Sequence, residues 1–239
     1  MRNLAIDIGN SAIKFAVFSQ NRLEHSGQVA SLPDLWNIPG VVPVDNIIAA
    51  SVRATENLLV PQLQAQGNLV LLDYQTPVPV QNHYRTPQTL GMDRLAAVVG
   101  ASFLYPEADC LVIDAGTCIT CDFIDKQQHF WGGSISPGLQ MKFRAMHTFT
   151  QKLPLIQEAI APVPLAGGTT HEAMQSGVVN GTIAELNGLI AAYAQKSASL
   201  IVVLCGGDAA FFETKLKAHI FVVPELVLIG LNRILNYNV

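Results

Sequence analysis

The sequence predicts an α/β protein built from two related lobes, and three observations carry that reading. Leu4-Ala5-Ile6-Asp7-Ile8-Gly9-Asn10 matches Leu111-Val112-Ile113-Asp114-Ala115-Gly116-Thr117, with Leu, Ile, Asp and Gly at the same offsets. Each copy is followed by an apolar run and another turn, and each opens one half of the chain, as an internal duplication would. Half of the 239 residues are apolar and 13% are charged, which supplies a sizeable core and lies far from the composition of a disordered chain. The expected lobes are residues 1–85 and 86–239.

Taken in order, Leu4 to Ile8, Ile13 to Phe18 and Leu23 to Val29 are short apolar runs separated by Gly9-Asn10-Ser11 and Asn21-Arg22, a three-stranded meander. Asn46 to Val52 reads as a buried strand. Thr55 to Gln66 reads as a helix with Thr55 as its cap, followed by a strand at Asn68 to Leu72. Three prolines between Thr76 and Pro87 mark an extended linker. Leu90 to Leu104 has helical spacing.

The second block repeats the pattern, with strands at Cys110 to Ile113, Ile119 to Ile124 and His129 to Ile135. A helix follows Ser136-Pro137-Gly138, with Pro137 suited to its first turn. Thr170 is the expected cap of a long helix reaching Gln195. Leu200 to Cys205 is a strand, Gly206-Gly207-Asp208 opens a helix, His219 to Val223 is a last strand and Pro224 to Tyr237 a last helix.

Composition narrows the function classes. The formal net charge is −4 with scattered basic residues, so there is no footprint for nucleic acid or an anionic membrane. The most apolar stretches fall short of the roughly 18–20 residues of a spanning helix, and Asp7 interrupts any signal-like N-terminus. A cytoplasmic protein is expected. Cys118 and Cys121 form a C-x-x-C pair with no second pair to complete a zinc site, so all four cysteines read as small hydrophobes in a reducing compartment.

The acidic turns point to phosphate chemistry. A glycine at the tip of a strand-turn-strand lets backbone N–H groups approach phosphate oxygens, and an Asp at the end of the preceding strand then suits a metal ion that neutralises both. Two such turns facing each other clamp a triphosphate, with the cleft between the lobes as the site. Lys14 is placed to offer a point charge to the transferring phosphate. Asp93-Arg94, at the foot of an otherwise apolar helix, reads either as a helix-start carboxylate with a solvated Arg or as part of a cleft wall. His147 and His171 read as structural or surface residues.

This arrangement resembles the actin-like (ribonuclease H-like) ATPase superfamily, which includes sugar kinases, acetate kinase and the seventy-kilodalton chaperones. The resemblance implies that Gly206-Gly207 lies near the nucleoside. A more specific likeness is to type III pantothenate kinases. It rests on an ordered set: Asp7-Ile8-Gly9-Asn10-Ser11-Ala12-Ile13-Lys14, Gly91-Met92-Asp93-Arg94, Asp114-Ala115-Gly116-Thr117, Gly132-Gly133-Ser134-Ile135-Ser136-Pro137-Gly138 and Thr170-His171-Glu172-Ala173-Met174-Gln175-Ser176-Gly177.

That resemblance implies ATP-dependent phosphorylation of pantothenate in coenzyme A biosynthesis. Asp7, Ile8, Gly9, Asn10, Ser11 and Lys14 would bind the ATP phosphates and Thr117 the nucleotide. Asp93 would accept the proton of the pantothenate hydroxyl. Tyr84, Gly91, Met92, Asp93 and Arg94 would hold pantothenate, with Thr170 arriving from the partner of a homodimer. Asp114 would bind a monovalent cation, K⁺ or NH₄⁺, used in addition to Mg²⁺. Ser11 stands where the family more often has Thr, and Cys118-Ile119-Thr120-Cys121 replaces a commoner run of small residues and Thr. The competing readings are a nucleotide-binding accessory protein like the Bvg accessory factor, and another kinase or phosphatase of the superfamily.

Overall fold

The computed structural model describes residues 1–9, 12–51, 56–157 and 162–239, and of residues 56–59 the backbone only. The chain forms two compact units: Met1–Ala108 with Phe123–Gly132 and Glu225–Val239, and Asp109–Asp122 with Gly133–Pro224.

The first unit is organised by β1 (Arg2–Ile8), β2 (Ile13–Ser19), β3 (Arg22–Val29), β4 (Asn46–Ser51) and β5 (Asn68–Leu71), in the sheet order β3-β2-β1-β4-β5. The meander pairs antiparallel, with Asp7 opposite Lys14, whereas β4 runs parallel to both β1 and β5. Central strands are nearly continuous apolar runs because both faces are covered. Leu4, Ile6, Phe15, Val17 and Ile47 pack with Leu32 and Leu35 of α1 (Leu32–Trp36). The sequence reading did not single out α1; Ser31 caps it, accepting from the Asp34 N–H.

The remaining helices of this unit are α2 (Glu56–Gln64), α3 (Met92–Leu104) and α7 (Leu226–Asn238). The proposed cap of α2, Thr55, lies outside the described residues. α3 and α7 approach backbone to backbone: a Cβ on Gly230 would overlap the Ala96 carbonyl, and one on Gly100 the Leu226 carbonyl. A buried amide cluster ties α7 to the sheet. Asn3 Nδ2 donates to Asn232 Oδ1 (2.9 Å) and Asn236 Oδ1 (2.8 Å), Asn46 Nδ2 donates to Asn3 Oδ1 (3.1 Å), and Asn232 Nδ2 donates to the Gln20 carbonyl (2.8 Å). Asn3 is fully buried, and its amide is satisfied, as burial demands.

The second unit repeats the plan. β7 (Cys110–Ala115), β8 (Cys118–Ile124), β9 (His129–Pro137), β10 (Ile201–Cys205) and β11 (Ile220–Val222) lie in the order β11-β10-β7-β8-β9. Read from the meander outward, this is the first sheet over again, with β10 parallel to β7 and to β11. Leu111, Ile113, Ile119, Phe143, Leu186 and Phe212 form its core with α4 (Leu139–Phe149), α5 (Thr170–Ala194) and α6 (Ala209–Glu213). The ends of β8 and β9 belong to the first unit, where β6 (Gln81–Asn82) pairs with β9. The proline-rich linker thus contributes a two-residue strand.

Two local expectations are corrected. Pro137 ends β9, and Gly138 is the N-cap of α4. Thr169 caps α5, in a capping box with Glu172, and Thr170 is the first helical residue. Cys110, Cys121 and Cys205 are buried, and none of the four cysteines is in a disulfide. Burial pushes the Cys110 and Cys121 thiols up to about 12, so neither is a reactive thiolate near neutral pH. Among the described residues no helix is long and apolar enough to cross a membrane.

Candidate active site

In the first unit the β1–β2 turn closes through a hydrogen bond from the Gly9 N–H to the Ala12 carbonyl (3.1 Å). Opposed residues of an antiparallel pair project from the same sheet face, so Asp7 and Lys14 are neighbours by register. Both are half-buried. Ile8 is a core residue, 2% exposed, so any contact it makes with a nucleotide comes from its backbone. Asn10 and Ser11 lie outside the described residues.

The same unit assembles Tyr84, Gly91, Met92, Asp93 and Arg94. Gly91 is the N-cap of α3, and Asp93 sits in the first helical turn, where the helix dipole favours an anion. Asp93 Oδ1 accepts the Arg94 N–H at 2.8 Å; its second oxygen makes no hydrogen bond among the described residues. A Cβ at position 91 would collide with that carboxylate. Arg94 is buried, and its guanidinium lies 5.4 Å from the centroid of the Tyr84 ring. Tyr84 stacks on Phe130 at 6.3 Å with the planes 6° apart.

Gly132 completes this face and was missed as a site residue, although it belongs to a motif singled out above. Its φ is +84°, and a Cβ there would press to 2.9 Å on the Tyr84 ring. A glycine pair inside a strand-like run was the available signal.

In the second unit Asp114 ends β7 as Asp7 ends β1, with Cys205 of β10 beside it in parallel register. The Gly116 N–H donates to the Cys118 carbonyl (3.0 Å), and the Gly138 N–H to the Thr117 carbonyl (3.0 Å). Thr117 is exposed at the tip. Gly206, at φ +94°, leaves room for the Asp114 carboxylate: a Cβ there would overlap both Asp114 Oδ1 and the Ala115 carbonyl. The Asp208 N–H donates to the Ala115 carbonyl (2.8 Å), and burial pushes the Asp208 carboxyl up from its ordinary range. Asp114 and the Gly206-Gly207-Asp208 segment therefore come together in this unit, with Thr117 at the tip of the turn that follows Asp114.

Elsewhere in the same unit, Lys142 Nζ donates to Glu185 Oε2 (2.7 Å) and Thr182 Oγ1 (2.9 Å). Burial pushes the Glu185 carboxyl up, but hydrogen bonds from Lys142 and Ser136 and the Lys142 charge outweigh it, holding the carboxyl below its ordinary range. Thr170 is exposed at the first residue of α5.

A family model describing type III pantothenate kinases matches residues 3–192. The chain belongs to the type III pantothenate kinase family. Among curated members, the type III pantothenate kinase of Phocaeicola vulgatus is 48% identical over 239 residues, covering 99% of this chain and 98% of that protein. The one from Bacteroides fragilis is 46% identical over 241 residues, with the same shares covered. A solved structure from Campylobacter jejuni, described as a Baf family transcriptional activator, superposes with a TM-score of 0.65 at 23% identity, covering 98% of each chain. A glucokinase from an Antarctic psychrotroph gives 0.53 at 12% identity, covering 99% of each. At such identities the likeness is one of fold, and the fold is the duplicated actin-like ATPase fold that the repeated sheet order displays.

Proposed function

We propose that this chain transfers the γ-phosphoryl group of ATP to the hydroxyl of pantothenate, giving 4′-phosphopantothenate in the first step of coenzyme A biosynthesis. The observation that carries the reading is a carboxylate, Asp93, held at a helix N-terminus beside Arg94 and Tyr84 in a chain of type III pantothenate kinase kinship. A nucleotide-binding accessory protein has no use for a base there.

The residues divide the work by chemistry. Asp93 accepts the hydroxyl proton on its second oxygen as the substrate oxygen forms its bond to phosphorus and the bond to the leaving ADP breaks. Tyr84, Gly91, Met92 and Arg94 orient pantothenate, a carboxylate bearing an amide and hydroxyls. Lys14, the backbone of Ile8 and Gly9, and the residues Asn10 and Ser11 receive the phosphates, and Thr117 the nucleotide. Thr170 reaches the substrate of a partner subunit in a cytoplasmic homodimer.

Asp7 would hold Mg²⁺, and Asp114 a monovalent cation, K⁺ or NH₄⁺. Among the described residues no three His, Cys, Asp or Glu side chains group to hold a metal, and Asp7 and Asp114 each stand two residues before a turn glycine, Gly9 and Gly116. That fits ions whose shells are completed by water and substrate phosphates, as Mg²⁺ prefers. Bound there, the cations would neutralise charge on the triphosphate.

Purified protein with ATP, Mg²⁺, K⁺ and pantothenate should form 4′-phosphopantothenate; no product at saturating ATP would sink the proposal. Asp93→Asn should lower kcat by about 10²–10⁴-fold, the range of general-base removal, and leave ADP binding unchanged. An active Asp93→Asn variant would remove Asp93 as the base.

A further inference from the structure

The helix that carries Asp93 in its first turn lines a pocket of the same unit with its last turns. Ser102 and Phe103 lie in the last turns of α3, roughly 13–15 Å along the axis from Asp93 at 1.5 Å per residue. With Val80, Val99, Gln128 and Arg233 they line a pocket of about 150 Å³. The guanidinium of Arg233, from α7, lies 5.4 Å from the Phe103 ring centroid. Among the described residues it makes no ion pair or hydrogen bond. A half-buried Arg laid on an aromatic ring keeps its fork of N–H donors in need of acceptors.

Gln128 is the second, independent observation. Its φ is +65°, in the β8–β9 turn, where the left-handed position is the ordinary place for glycine. The turn is held rigidly: Asp125 Oδ1 accepts the Gln127 and His129 N–H groups, and the Gln128 N–H donates to the Asp125 carbonyl (2.8 Å). A strained backbone position therefore carries a carboxamide at the pocket rim. The facing wall is pinned as well, by the Gln81 N–H on the Gln128 carbonyl (2.9 Å) and by Asn238 Nδ2 on the Pro77 carbonyl (2.9 Å).

We propose that this pocket binds a small monocarboxylate with a short apolar tail. The carboxylate pairs with Arg233 and accepts from Ser102 and Gln128, and the tail lies against Val80, Val99 and Phe103. One guanidinium matches one carboxylate bidentately. A dianionic phosphate would leave surplus negative charge at the carbonyl end of α3, which the helix dipole disfavours. The volume is close to that of a cavity known to hold benzene, about 150 Å³, which limits the ligand to roughly six or seven heavy atoms. The site does not depend on the phosphoryl-transfer proposal.

Pentanoate is the probe, titrated into ¹⁵N-labelled protein while the amides of Val99, Ser102, Phe103 and Gln128 are followed, with 1-pentanol and inorganic phosphate as separate arms. Pentanoate should shift these amides saturably, and pentanol should bind at least about tenfold more weakly, the factor set by losing one charge-assisted pair. Phosphate, which has no tail to lie against Val80, Val99 and Phe103 and carries surplus charge, should also bind at least about tenfold more weakly. Arg233→Gln should abolish the response, Gln128→Gly should weaken it severalfold while folding at least as well as the wild type, and Asp93→Asn should leave it intact. No saturable shift, an unchanged response in Arg233→Gln, or phosphate binding as tightly as pentanoate would overturn the proposal.

Discussion

Asp7 and Asp114 occupy the same place in two copies of one sheet, yet their surroundings differ. Each ends the central strand, with an antiparallel hairpin partner on one side and a parallel strand on the other. Asp7 has Lys14 directly across the hairpin. Beside Asp114, Gly206 lies against the carboxylate, and Gly138 lies close on the carbonyls of Gly116 and Thr117 in the turn that follows. A duplicated scaffold thus places two identical carboxylates, and the neighbours decide what each can do. A carboxylate beside a lysine suits a transferring phosphate and its metal. One beside backbone and glycine suits a cation and the nucleoside side of the ligand.

The largest effect should fall on the first turn. Lys14→Ala is expected to reduce kcat by about 10²–10³-fold, the usual loss when one charge-stabilising donor is removed from a transition state, with the KM for ATP changed much less. A loss confined to KM would show that Lys14 only binds ground-state phosphate. Gly206→Ala should act on the second turn through shape. It forces a side chain into a left-handed backbone and onto Asp114, so about 1–3 kcal/mol of stability is at risk and the KM for ATP should rise more than kcat falls. An alanine variant with native Tm and KM would mean that the segment yields without disturbing Asp114.

Smaller effects come from the two perturbed carboxyls of the second unit, which should show opposite pH signatures. Glu185 is held below its ordinary range, so the stabilisation by Lys142 is present above the unfolded carboxylate pKa of 4.5 and lost as pH falls through the lower folded value. Lys142→Met should therefore lower Tm at neutral pH and do so less in acid. Asp208 is raised by burial, so its ionised form opposes folding above the raised value, and that opposition is relieved as pH falls towards 3.8. Asp208→Asn should raise Tm slightly at pH 7, and the gain should vanish in acid. The same pH trend in both variants would contradict the assignment of burial to one and ion pairing to the other.

Much of this was legible from residue types alone, because hairpins and their turns are local. The repeated Leu-x-Ile-Asp-x-Gly run announced the repeated sheet, and an Asp-Arg pair at the foot of an apolar segment announced a charged helix start. What escaped depends on contacts distant in sequence. Asn3, Asn46 and Asn232 are ordinary polar letters until β1, β4 and α7 bring their amides together. Gln81 and Asn82 carry no strand signal of their own; they pair because β9 offers an edge. Thr169 and Thr170 are equally good caps by type. The reciprocal bond with Glu172, three residues after Thr169, decides between them.

The most direct test is a K⁺ titration of pantothenate phosphorylation by the wild type, Asp7→Asn and Asp114→Asn under saturating ATP and Mg²⁺. Asp7→Asn should depress the maximal rate with the K⁺ half-saturation unchanged, whereas Asp114→Asn should shift or abolish the K⁺ response. Matching changes in both variants would contradict a division of labour between the turns. A wild-type protein that makes no 4′-phosphopantothenate at any K⁺ concentration would contradict the kinase proposal itself.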